Sequence, residues 1–224
     1  MMMKKLSKVL AAAGVLFNAT MADADVVVVI DASGSSPVMR TESDPLVAAA
    51  GRRIAEELAR QPLGARLLIV TAGEHDKPGG KLLDKRIQRF ATASGDTAKA
   101  YANSLPAFLV QQVQALRRLP AEQQSHLTAA VVTVGRMVDA GRGECSLFMF
   151  SDLAEFDGAG AGVRYPRDWK RPLPAYAGFE LKGCKFTAFG AGQGLQPQPA
   201  EAILGHWRDW LAKHGAASVV LEKY

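Results

Sequence analysis

The sequence predicts an α/β fold, an open and mostly parallel sheet with helices on both faces, and three observations carry that prediction. Residues 26–30 are four valines and Ile30 in one unbroken run, a pattern that suits a strand buried on both faces. Further apolar runs at 65–71, 145–150, 181–190 and 217–221 are separated by segments of helical character. Strands alternating with helices are the mark of a parallel sheet covered by its crossovers. The first run stops at Asp31, and Ser33, Gly34, Ser35, Ser36 and Pro37 follow. Polar oxygens therefore gather at the carboxyl end of a central strand, where open α/β sheets bind ligands.

Residues 1–24 stand apart from this pattern. Lys4, Lys5 and Lys8 precede the apolar stretch 9–17, and Ala22-Asp23-Ala24 offers a small-x-small cleavage site. This reads as a secretory signal peptide, too short to span a bilayer, so the expected location is periplasmic or secreted. No Cys stands directly after the apolar stretch, which argues against a lipoprotein anchor, and no later segment is apolar for long enough to cross a bilayer. About 200 residues remain for one domain, 25–224. The leader's three lysines and one aspartate lower the formal charge from +5 to +3 when it is set aside. Basic residues are spread along the chain without an aromatic-interleaved patch, so nucleic acid is not an expected partner.

In the turn after the first strand, Asp31, Ser33 and Ser35 sit two apart, and Gly34 lets the backbone curl so that their oxygens converge. One carboxylate with two hydroxyls is hard-oxygen ligation, suited to Mg²⁺ or Mn²⁺ rather than Zn²⁺. This D-x-S-x-S after a buried strand resembles the metal-ion-dependent adhesion site (MIDAS) of von Willebrand factor type A (vWA) domains. The alternative is a polar turn that caps the next helix.

Asp44 and Pro45 open the first helix as N-cap and first helical residue, and it runs to about Gln61 with Ala48, Ile54, Ala55, Leu58 and Ala59 facing the core. The strand at 65–71 leads to a polar loop at 72–80. Residues 81–90 alternate and are basic, as expected of an exposed edge strand. Residues 94–119 are helical in composition, with Pro106 expected to break them into two pieces. The next helix spans 125–140 and carries Thr128 in its first turn.

The resemblance implies two further ligands: Thr128 at the start of this helix, for which the alternative is that Ser125 or Thr128 is a plain helix cap, and Asp152 just past the strand 145–150. The sequence departs from the family in having Gln124, Ser125 and His126 before Thr128, and Ser151-Asp152-Leu153 where Thr-Asp-Gly is usual. Without a cation, Asp31 and Asp152 would repel each other in one crevice. Glu155 and Asp157 lie just beyond and are either outer-shell or solvated, the second being the preferred reading.

Residues 157–177 form a long loop where a helix is expected. The loop interleaves Arg164, Tyr165, Arg167 and Trp169 beside the site, residue types that dominate binding hot spots, so it is either a partner-binding loop or a cover for the sheet. The glycines at 190, 192 and 194 lack dinucleotide-binding spacing. Residues 199–214 form an amphipathic helix whose Trp207, Trp210 and Leu211 face the core. The resemblance covers nearly all of 25–224 and implies a doubly wound, Rossmann-like sheet of six strands in the order 3-2-1-4-5-6, with the third antiparallel at the edge. Cys145 and Cys184 open strands expected to be neighbours, so they form either a disulfide at the foot of the sheet or two buried thiols.

The expected function is a metal-dependent protein-binding module rather than an enzyme. Asp31, Ser33, Ser35, Thr128 and Asp152 would hold Mg²⁺, which keeps a position for a carboxylate from a protein partner. One alternative is a structural subunit of an envelope secretion or conjugation assembly with a vestigial metal site. Another is a Mg²⁺-dependent phosphatase with Asp31 as nucleophile, although Ser33 stands where the second acid of such enzymes belongs. No G-x-S-x-G elbow appears, and His75, His126, His206 and His214 show no metal spacing.

Overall fold

The valine run forms β1, Asp25–Asp31, every residue of which is buried. In the computed structural model, which describes residues 25–61, 66–72, 95–138, 144–156 and 164–223, β1 pairs in parallel with β2 (Arg66–Ala72) on one side and β3 (Cys145–Phe150) on the other. β4 (Cys184–Phe189) and β5 (Ser218–Glu222) extend the sheet beyond β3, giving an all-parallel, five-stranded order β2-β1-β3-β4-β5. The leader, His75 and Asp76, the edge strand expected at 81–90 and the loop residues 157–163, with Asp157, lie outside the described residues.

Side chains alternate across the sheet and build two cores. Val26, Val28 and Ile30 pack with Phe148 and Phe150 against α1 (Asp44–Arg60) and α2 (Gly95–Leu116). Val27, Val29, Leu147 and Met149 face α3 (Leu127–Met137) and α4 (Pro197–Lys213). β1 therefore has no polar face, which is why it reads as a continuous apolar run. Burying each such side chain favours folding by about 1.5–3 kcal/mol. Trp207 and Trp210 on α4 lie in the core, as their spacing predicts. None of the described helices is long and apolar enough to cross a membrane.

Three helix expectations need correction. α2 continues through Pro106 without a break. Gly51 of α1 lies so close there that a Cβ would meet the Pro106 Cα at 2.8 Å, and this packing outweighs the single backbone hydrogen bond that proline removes. Asp44 is not the N-cap of α1. Ser43 precedes the helix instead, and the Asp44 carboxylate accepts hydrogen bonds from Gln114 at 2.7 Å and Arg117 at 2.6 Å, tying α1 to α2. α3 begins at Leu127 rather than 125, because Ser125 is drawn into backbone pairing with Phe156.

Cys145 and Cys184 are direct partners in the β3–β4 register and are joined by a disulfide, Cα to Cα 4.3 Å. It lies at the amino ends of the strands, opposite Asp31.

Candidate metal centre

From β1 the chain moves to β2 on one side, while β3 lies on the other. The carboxyl ends of β1 and β3 thus flank the point where the winding reverses, the place where open α/β sheets leave a crevice. Asp31 ends β1 and Ser151-Asp152 follow β3, so the topology alone brings both acids to that crevice.

Backbone bridges then lace the surrounding loops together. The first turn joins the segment before α3 at Ser33 and Glu122, through Glu122 N–H to the Ala32 carbonyl (3.2 Å) and Gly34 N–H to the Glu122 carbonyl (3.4 Å). Ser125 and Phe156 exchange two such bonds, at 3.1 and 2.9 Å. Phe156 also bridges to Arg164, where Tyr165 N–H donates to the Glu155 carbonyl at 2.8 Å. The glycine-rich turn after β4 contributes Gly192 N–H, which donates to the Asp152 carbonyl at 2.9 Å. That turn holds the site's backbone.

The Asp31 side chain is completely buried. Its Oδ1 accepts from the Ser33 amide (2.9 Å) and the Ser125 hydroxyl (3.3 Å), and its Oδ2 accepts from the Ser151 hydroxyl (2.8 Å). Burial pushes the Asp31 carboxyl up to about 6, and the Asp152 charge pushes the same way, against the lowering effect of the Ser33 and Ser151 hydrogen bonds. Burial also raises Asp152, whose carboxylate is hydrogen-bonded by the Ala154 amide (2.9 Å) and by Ser35, and is drawn down by the Arg40 charge. The Ser33 and Ser35 hydroxyls lie 3.4 Å apart. Asp31, Ser33 and Ser35 therefore gather in the turn where the motif puts them, and Asp152, expected there from the resemblance alone, lies beside them.

Thr128 is placed differently. Both its amide and its hydroxyl donate to the Glu155 carboxylate, each at 2.9 Å, and its hydroxyl lies 3.4 Å from Tyr176 Oη. Among the described residues it hydrogen-bonds none of the other four expected ligands. Ser125, three positions earlier, reaches Asp31 in its stead. For Glu155 the structure decides between the two readings: it is buried, not solvated, and its carboxylate accepts from the amino end of α3. Ser125 and Ser151 are the participants that sequence reasoning missed. Ser151 also accepts from the Leu153 amide at 2.9 Å, an ST-turn that only the strand-end position hints at.

Leu153 holds the position where the vWA pattern has glycine, and it adopts the glycine conformation, φ 65°. A branched, bulky residue in the left-handed region costs about 1–2 kcal/mol. Its fully buried side chain and the Trp207 indole, which donates to its carbonyl at 2.9 Å, hold it there. The acid after β3 is thus presented on a strained turn.

Ser33, Ser35, Ser125, Asp152 and the half-buried Glu122 are polar residues lining an open cleft of about 410 Å³. Of the loop residues expected to meet a partner, Tyr165 lines this cleft, while its hydroxyl donates to the Arg171 carbonyl. Arg164 is exposed above the Phe156 ring (6.0 Å) and Arg167 is exposed. Trp169 is half-buried against the core, with its carbonyl 3.0 Å from His206 Nε2. Among the described residues no three His, Cys, Asp or Glu side chains gather in metal-ligating range, so a cation here would depend on the serine hydroxyls. No protein-family model matches this chain, and no curated protein is significantly similar to it.

Proposed function

We propose that this protein is an exported, vWA-like binding module that captures a carboxylate of a protein partner through a divalent cation at the carboxyl end of its sheet. The observation that carries this reading is the fully buried Asp31 carboxylate, which feels the Asp152 charge, with the Ser125 and Ser151 hydroxyls donating to Asp31 and Ser35 hydrogen-bonded to Asp152, so that three separate segments meet there. The donor set fits Mg²⁺ or Mn²⁺: carboxylate and hydroxyl oxygens, with no thiolate or imidazole. Asp31, Ser33, Ser35 and Asp152 would hold the ion, with Ser125 or Thr128 supplying the contact from the third segment. When bound, the cation supplies the positive charge that two neighbouring carboxylates lack and a coordination position for an outside acid. In this reading the strand expected at 81–90 adds beyond β2, completing the order 3-2-1-4-5-6. The Cys145–Cys184 disulfide fits an oxidising compartment such as the periplasm.

Titration calorimetry with MgCl₂ and MnCl₂ tests the reading. One saturable site is expected, abolished by Asp31→Ala and competed by EDTA; heats that survive Asp31→Ala would remove the metal from the mechanism. A second reading, a structural subunit of an envelope assembly with no working metal site, is favoured by one observation: Thr128 gives both donors to Glu155. It expects partner binding that is indifferent to EDTA.

A further inference from the structure

The cleft is much larger than one carboxylate needs, and its lining is of two chemistries. Besides the polar residues the wall includes Ala154, Phe156, Tyr165, Pro166 and Leu195. Phe156 and Leu195 are half-buried and Pro166 is exposed, so an apolar surface faces solvent in the same cleft as the polar residues. Three separate segments supply this wall, and two of them are pinned. Phe156 is bridged on both sides, to Ser125 and Arg164, and Tyr165 is buried while it lines the cleft. A rigid apolar wall loses little entropy when it is covered, which favours binding over adaptation.

Charge decides what sits beside it. Asp152 and Glu122 line the cleft with Asp31 buried close by, so a bare anion is repelled and a cation must come first. A neutral apolar ligand would cover the wall and make no use of the acids.

From this we infer that the cleft selects a protein segment in which an Asp or Glu is flanked by a large apolar side chain. The acid meets the cation, and the neighbour packs on Phe156, Tyr165, Pro166 and Leu195. The inference rests on the proposed metal-dependent capture and adds the sequence context of the captured acid.

The test is a series of capped tripeptides, acetyl-X-Asp-X-amide with X as Gly, Ala, Leu or Phe, titrated into the ¹⁵N-labelled protein in Mg²⁺ and again in EDTA. In Mg²⁺ the Leu and Phe peptides are expected to bind roughly tenfold or more tightly than the Gly peptide. The shifted amides should include those of Phe156 and Leu195. In both Phe156→Ser and Leu195→Ser the Leu-to-Gly ratio falls toward one, and dispersed amide spectra certify that each variant is folded. Equal Mg²⁺-dependent affinity for every X overturns the apolar wall and leaves metal-dependent capture standing. A Leu preference that is unchanged in EDTA keeps the wall and removes the cation. No amide shift at millimolar peptide overturns the inference outright.

Discussion

Asp31 holds its charge against the cost of burial, and that conflict sets a measurable pH dependence. Its carboxyl stands at about 6 in the folded protein against an ordinary 3.8, through desolvation first and the Asp152 charge second. The folded state therefore takes up the proton before the unfolded chain does. The stabilisation is complete below the ordinary value and is lost as pH rises through 6. In EDTA, stability attributable to this group should be greater at pH 4 than at pH 7 by roughly 2 kcal/mol. Urea denaturation of wild type against Asp31→Asn isolates it: the variant should be more stable than wild type at pH 7, with the difference shrinking as pH falls. With saturating Mg²⁺ the direction reverses, because protons then compete with the ion for the carboxylate. A wild-type minus variant difference that is flat with pH would mean that the buried carboxyl is not strained by its surroundings.

At the scale of elements, the α1–α2 contact shows tertiary packing overruling local propensity. Helix propensity alone says that Gly51→Ala stabilises α1 by about 1 kcal/mol. The Pro106 Cα, 2.8 Å from where the methyl would sit, is backbone and cannot turn aside. Gly51→Ala should therefore lower stability by about 1–3 kcal/mol, read from the urea midpoint, with the slope unchanged. The same competition explains what was legible in the sequence. β1, β2 and β3 were legible because largely apolar runs have few other uses, and Asp31 because it ends such a run, whereas Asp152 was legible only through the resemblance. The unbroken α2 was not, since the partner that accommodates Pro106 lies more than fifty residues away in the chain. Nor was the exchange at α3, where Ser125 turns to Asp31 and Thr128 to Glu155. Serine and threonine three apart at a helix start look alike in sequence. Which of them reaches the acid depends on where Phe156 pins the loop.

Across the whole molecule, the two ends of the sheet are built for different tasks. At the amino ends of the strands Cys145 and Cys184 tie β3 to β4 inside the core, both nearly inaccessible. At the carboxyl ends the same two strands lead into the loops that frame Asp152. A cross-link over a sequence separation of 39 restricts the unfolded chain, worth roughly 3–4 kcal/mol in the loop-entropy account. That contribution acts on the unfolded state, so it should not reach the cleft. The paired variant Cys145→Ala with Cys184→Ala is accordingly expected to lose about 3 kcal/mol or more in urea denaturation, some of it from the small cavities left at buried positions. Its Mg²⁺ dissociation constant should stay within about twofold of wild type, since the folded β3 register is still set by five other residue pairs with β4 and by β1. Parallel loss of stability and of metal affinity would show that the disulfide shapes the native position of Asp152 rather than limiting the unfolded chain. The sheet would then act as one mechanical unit from foot to crevice.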